Sequence, residues 1–195
     1  MRVAAPLSIT PPSVTIKTSV MAKQCDSTSV GQILKREGAS VLIERKNYPQ
    51  AIALPAGHLD GDNYAAAALR ETSEEVGVLV GENRRIWQGR IENPCKREGG
   101  DHHLWEVYEA GSFTGELKAG DDAKSYFLAT PEELRRLAKR TEYFMKKFGI
   151  VYTDVNALTR AIFGNPADKA TDAEWKGEMG LEPVWYFILK QIGVI

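Results

Sequence analysis

Leu54-Pro55-Ala56-Gly57-His58-Leu59-Asp60-Gly61-Asp62, continuing to Leu69-Arg70-Glu71-Thr72-Ser73-Glu74-Glu75-Val76-Gly77-Val78, decides the reading of this chain. A glycine-bearing turn leads into a segment of helical character. Ala65 through Leu69 are strong helix formers. Asp62 or Asn63 is a good N-cap, and Gly77 suits the left-handed residue that ends a helix. At about 100° per residue, Glu71, Glu74 and Glu75 fall within an arc of roughly 100° and converge on one face. Like charges one turn apart destabilise a helix unless something positive sits between them. A hard divalent cation, Mg²⁺ or Mn²⁺, is the natural partner for clustered carboxylate oxygens. Arg70 lies beside them and can orient a carboxylate through a charged hydrogen bond. A solvated acidic face is the ordinary fate of a glutamate pair. Here a Pro-Ala-Gly turn, an Arg-Glu pair and a Glu-Glu-x-Gly ending occur in order, and that combination points to a metal site.

The rest of the composition fits one modest enzyme domain with extra segments. The chain has 195 residues, a net charge of −1 and 43% hydrophobic residues, which is ordinary for a globular protein. No basic excess suggests nucleic-acid binding by bulk charge. Cys25 and Cys95 lack close Cys-x-x-Cys spacing. They therefore suggest neither a disulfide scaffold nor a zinc site, and a reducing compartment is the simpler assumption. With no transmembrane run and no secretory signal, the expected location is cytoplasmic, without a membrane partner.

Around the decisive stretch, strand and helix patterns alternate. Residues 1–13, with Pro6, Pro11 and Pro12, read as a flexible tail, and Val14, Ile16, Thr18 and Val20 alternate like a strand. Ser29 to Lys35 and Ser40 to Lys46 read as paired strands with a turn at Glu37-Gly38-Ala39. Ala51 to Pro55 is a short strand. Further strands are expected at Arg84 to Ile91, His102 to Ala110 and Lys124 to Ala129. Thr130-Pro131-Glu132-Glu133 opens a helix with a capping box, and Leu134, Leu137, Thr141, Phe144 and Phe148 form its core-facing stripe. Asp154 to Phe163 reads as a helix, and Asn165 to Gly180 as a polar, broken segment. A last helical stripe comprises Val184, Trp185, Ile188, Leu189 and Ile192. That stripe packs on the domain or forms a homodimer contact.

The decisive segment resembles the Nudix box, Gly-x5-Glu-x7-Arg-Glu-U-x-Glu-Glu-x-Gly-U, where U is aliphatic. Arg70-Glu71 and Glu74-Glu75-Val76-Gly77-Val78 match its second half. Asp62 stands where the first Glu belongs, only four residues separate it from Gly57, and Thr72 replaces an aliphatic residue. The resemblance implies an α+β fold, an α/β/α sandwich around a mixed β-sheet. It covers roughly residues 26 to 150, and the expected domain runs over residues 14–150 with a C-terminal helical extension over residues 151–195. The resemblance also implies hydrolysis of a phosphoanhydride bond in a nucleoside diphosphate derivative or nucleotide, by a metal-activated water. Carried over by position, the metal ligands are Glu71, Glu75, Glu74 and the carbonyl of Ala56. Asp62 takes a supporting place beside Arg70. Asp122, ahead of Lys124 to Phe127, is the first choice for general base, then Asp121 and Glu116. Failing these, Glu71 or Glu74 activates water directly.

Other residues admit both a site and a plain role. Arg45, Lys46 and Tyr48 lie at the entry to the site and are candidate substrate contacts. His102 and His103 are neighbours on a strand, so at most one enters a shared site; His102 is the candidate. His58 reads as local structure or an outer contact. Arg84, Arg85, Lys96 and Arg97 meet phosphates or simply face solvent. Trp87, Trp105 and Tyr108 stack a base or fill the core. Pro94 lies 16 residues past Val78, near the place where ADP-ribose-type pyrophosphatases carry a proline. The alternative reading is a non-catalytic Nudix-like module that senses a nucleotide or binds a protein.

Overall fold

The structure, a computed structural model, describes residues 23–168 and 170–195. The expected tail and the strand at Val14 to Val20 lie outside the described residues. The elements follow in chain order. β1 (Thr28–Ile33), β2 (Lys35–Arg36), β3 (Ala39–Arg45), β4 (Ile52–Ala53) and β5 (Ala56–Gly57) lead to α1 (Tyr64–Val76). β6 (Leu79–Val80), β7 (Asn83–Glu92), β8 (His102–Ala110), β9 (Phe113–Thr114) and β10 (Ala123–Ala129) come next. α2 (Pro131–Phe148), α3 (Val155–Phe163), α4 (Ala173–Gly177) and α5 (Pro183–Gln191) complete the chain.

One sheet has the order β5-β1-β8-β7 and another β10-β3-β2, with β4 beside β3. β1 runs parallel to β8, while the other pairings are antiparallel, so the sheet system is mixed. The expected pairing of Ser29–Lys35 with Ser40–Lys46 holds only at the turn. Lys35 and Arg36 pair with Ser40 and Ala39. Beyond them β1 leaves for β8, and β3 pairs along its length with β10. β1 is buried after its first residue and β3 from Ser40 to Ile43, so each needs long-range neighbours on its edges. The hairpin itself is local. Glu37 at φ 53° and Gly38 at φ 81° give the consecutive left-handed residues that a two-residue turn requires.

Alternation along β1 sorts the helices onto the two faces of its sheet. Val30 packs with Leu59, Ala67, Ala68 and Tyr108, the α1 side. Gly31 faces the other way, where a Cβ would fall 2.5 Å from the Trp185 ring of α5. Trp105 stands edge-on to Trp185, with ring centroids 6.2 Å apart. Trp105 and Tyr108 are both buried, and Trp87 packs against Phe187 of α5. Val184, Trp185, Ile188 and Leu189 all lie in the main core, with Ile192 against it. The segment before α5 also joins the sheet edge: Glu182 N–H donates to Ile52 O at 2.8 Å. The last helical stripe is therefore spent within the chain's own core.

α2 begins as its sequence dictates. Thr130 accepts from the Glu133 amide and the Glu133 carboxylate accepts from the Thr130 amide, a reciprocal cap that stabilises a helix start by about 1 kcal/mol. Leu134, Leu137, Thr141 and Phe144 are buried. The polar segment after α3 contains one short helix, α4, whose Trp175 is fully buried beside Phe144 and Phe163. Among the described residues no helix is long and apolar enough to cross a membrane.

If α5 is an integral part of this core, Trp185→Ala lowers unfolding free energy by about 3–5 kcal/mol. Val151→Ala, at a position 66% exposed, changes it by less than about 0.5 kcal/mol. Chemical denaturation of the two variants checks the contrast.

Candidate active site

α1 carries the carboxylates, and its ends are fixed by local chemistry. Asn63 caps it by accepting from the Ala66 amide, and Gly77 ends it at φ 75°. Thr72, where an aliphatic residue was expected, is fully buried. Its hydroxyl donates to Ala68 O at 2.7 Å, so the polar atom is satisfied within the helix.

Arg70 fastens the helix to the preceding turn. Its guanidinium donates to Asp62 at 2.8 Å, Glu71 at 2.6 Å, Glu74 at 3.2 Å, and the carbonyls of His58 at 2.9 Å and Leu59 at 3.2 Å. Asp62 is thus the supporting partner that its position suggested. The turn comes so close that a Cβ on Gly57 would lie 2.0 Å from the Glu71 carboxyl carbon. Only glycine permits that approach.

Glu75 is the deepest of the three carboxylates, 8% exposed. Its Oε2 accepts from the Ala56 amide at 2.8 Å. Burial pushes its pKa up to about 8, while Arg45 and the Ala56 amide pull the other way and Glu71 adds to the rise. Burial also raises Glu71, opposed by Arg70. Glu74 is exposed. Glu71, Glu74 and Glu75 line one cleft and together offer the carboxylate oxygens that a hard divalent cation prefers. The residues present fit such a cation.

A cleft of about 200 Å³ opens over this group and brings together most of the expected residues. Ala56, Arg70, Glu71, Glu74, Glu75, Arg45 and Asp122 all line it. The loop holding Asp122 is tied to the end of α1, because Lys118 and Gly120 amides donate to Val76 and Glu75 carbonyls. Asp122 itself accepts from Asn47 at 2.6 Å. Arg45 donates to Glu182 at 3.3 Å and to Tyr48 O at 3.4 Å, which ties the cleft to the start of α5.

Other expected contacts fall elsewhere. Lys46 turns to the Asp121 carbonyl at 3.4 Å and is not in the cleft wall. His102 also lies outside that wall, with Nδ1 2.6 Å from Asp101. The next strand residue, His103, points the opposite way and does line the cleft. Arg84 and Arg85 pair with Glu109 and Glu106 on β8. Arg97 is held by Asp60 in a two-bond clasp, while Lys96 forms no ion pair among the described residues.

Cys25 and Cys95, whose spacing in the sequence suggests no shared site, come together in the fold. Their sulfurs and the ring nitrogens of His58 and His103 gather within 4.8 Å of one another. Burial pushes the Cys95 thiol up to about 11 and both imidazoles down to about 4. The four residues come from four separate segments, so no local spacing announced them.

The NUDIX domain family model matches residues 26–148. This chain belongs to the Nudix family. It is 31% identical to an ADP-ribose pyrophosphatase of Methanocaldococcus jannaschii over 125 residues, 63% of this chain and 72% of that protein. Among solved structures it is similar to a MutT NUDIX hydrolase of Burkholderia pseudomallei. There the identity is 24% and the TM-score 0.48, over 54% of this chain and 84% of the other. It is also similar to the NUDIX domain of Shewanella oneidensis NrtR, crystallised with ADP ribose. That match is 16% identical with a TM-score of 0.46, over 58% of this chain and 77% of the other. This Nudix protein is a pyrophosphate-hydrolysing hydrolase.

Because Gly57 makes room for Glu71, Gly57→Ala is expected to weaken Mn²⁺ binding at least about tenfold, as loss of a supporting contact does. Gly177→Ala, in open space, leaves it unchanged. Titration of free Mn²⁺ by electron paramagnetic resonance checks both.

Proposed function

We propose that this Nudix enzyme is a divalent-metal-dependent pyrophosphatase acting on a nucleoside diphosphate derivative, with an ADP-ribose-like nucleoside diphosphate sugar as the favoured substrate. The observation that carries the reading is the buried Glu75 beside Glu71 and Glu74 at the floor of an open cleft. The substrate class is supported by the likeness to the ADP-ribose pyrophosphatase of Methanocaldococcus jannaschii and by Pro94 in the cleft wall.

Glu71, Glu74, Glu75 and the Ala56 backbone would hold Mg²⁺ or Mn²⁺. When bound there, such a cation neutralises diphosphate charge and acidifies water. The chain's own residues do the rest. Arg70 fixes the carboxylates by binding Glu71, Glu74 and the turn carbonyls at once. Positioning of this kind is most of what phosphoryl transfer needs. Lys96, on the cleft wall, offers a cation to the substrate phosphates. Asp122, across the cleft, takes the proton from the attacking water. The water oxygen bonds to one phosphorus, the bridging P–O bond breaks, and two phosphate monoesters leave.

The test is product release from a panel of nucleoside diphosphate derivatives and triphosphates with Mg²⁺ and Mn²⁺. Turnover is expected to vanish with chelator. Glu75→Gln should lower kcat/KM by at least about 100-fold, the upper range for losing a group that only supports a metal. Ligand binding without turnover across the panel would overturn the enzymatic reading in favour of a sensor.

Asp122→Asn is expected to lower kcat by about 10²–10⁴ with little change in KM, the range for a general base. An unchanged kcat would move the proton acceptor to Glu74 or Glu71.

A further inference from the structure

Cys25 precedes β1, His58 follows β5, Cys95 sits in the loop between β7 and β8, and His103 is the second residue of β8. Their donor atoms nevertheless form one compact group. Cys25 Sγ lies 3.5 Å from His58 Nε2 and 3.3 Å from His103 Nε2, and Cys95 Sγ lies 3.4 Å from His58 Nε2. A tetrahedral zinc with bonds of about 2.3 Å to sulfur and 2.0–2.1 Å to nitrogen has sulfur-to-nitrogen edges of about 3.5 Å. The three separations match that edge to within about 0.2 Å.

The surroundings are arranged for ligands, not for a chance meeting of side chains. The Ser27 amide donates to Cys25 Sγ at 3.4 Å, and the Arg97 amide donates to Cys95 Sγ at 3.3 Å. Each sulfur therefore receives a backbone N–H from two residues on, which stabilises negative charge on it. His103 Nδ1 lies 3.0 Å from Asn93 Oδ1. An amide oxygen only accepts, so the ring proton sits on Nδ1 and Nε2 turns a bare lone pair into the group. Asn93 and His103 are both buried, at 8% and 2% exposure.

We propose that Cys25, His58, Cys95 and His103 form a structural Zn²⁺ site, separate from the carboxylate group. Two thiolates and two imidazoles complete four-coordination and leave no open position, the pattern of structural and not catalytic zinc. The donor set also separates the two metals by chemistry. Sulfur and imidazole select zinc, while the carboxylates select a hard cation. The site staples the box turn and the β7–β8 loop to β8 and to the segment before β1. That loop carries Lys96 and Arg97, so zinc fixes one wall of the cleft. The inference does not depend on the substrate assigned above.

The full-length protein, purified under reducing conditions without chelator, is expected to carry one zinc per chain by elemental analysis. Glu75→Gln should retain it, and the double variant Cys25→Ser/Cys95→Ser should lose it. The stripped wild-type chain should bind one equivalent of Co²⁺ with visible d–d bands and sulfur-to-cobalt charge transfer, and Zn²⁺ should displace it. A thiol reagent should find two cysteines blocked in the zinc form and two reactive in the stripped form. The cobalt and thiol measurements use the intact chain, so they stand whether or not the serine variant folds. Absence of stoichiometric metal would overturn the proposal. So would cobalt binding without the sulfur band, equal retention of zinc by the serine variant, iron in place of zinc, or a Cys25–Cys95 disulfide in the reduced preparation.

Discussion

The Glu71 carboxylate occupies the space that any side chain at position 57 would need. That contact between the turn and α1 is the constraint on which the cleft depends. It brings the Ala56 amide to Glu75 and the turn carbonyls to Arg70. The cost of crowding three carboxylates is offset by Arg70, which binds Glu71 and Glu74, and by Arg45 and the Ala56 amide, which oppose the burial of Glu75. Like charges so close are tolerable only when each has its own answer.

From this contact the dependence spreads through the chain. Arg45 lowers the charge cost at Glu75 and is itself held by Glu182. Glu182 opens α5, which buries Trp185 against Gly31 on the other face of the sheet. The C-terminal helix is thus linked to the carboxylates through one arginine. A second link runs along the other wall, where Asp60 clasps Arg97 beside the Cys/His group. Burial pushes the imidazoles and the Cys95 thiol toward their neutral forms, so their charge states answer to what else sits among them.

Local chemistry was legible where neighbours in sequence are neighbours in space. Gly77 at the end of α1, the Thr130 capping box, the Glu37-Gly38 turn and the strands expected at Arg84 to Ile91 and His102 to Ala110 all followed from residue type and period. The carboxylate face was legible for the same reason, since a helix converts spacing into direction. The β1–β3 pairing failed beyond the turn because burial on both faces lets two strands take distant partners. His102 and His103 show how narrow the margin is. A one-residue choice on a strand reverses the face, and nothing local said which face met the cleft.

By itself, the sequence determined the box helix with its three glutamates, the turn feeding it, the mixed α+β order and the caps that start and stop the elements. These rest on interactions within a few residues, which spacing encodes directly. Only the tertiary structure decided that α5 belongs to the core, that Arg45 serves Glu182, and that Cys25, His58, Cys95 and His103 meet. Those contacts join residues up to 137 positions apart. Their partners are selected by which buried faces close on one another, and no local pattern records that choice.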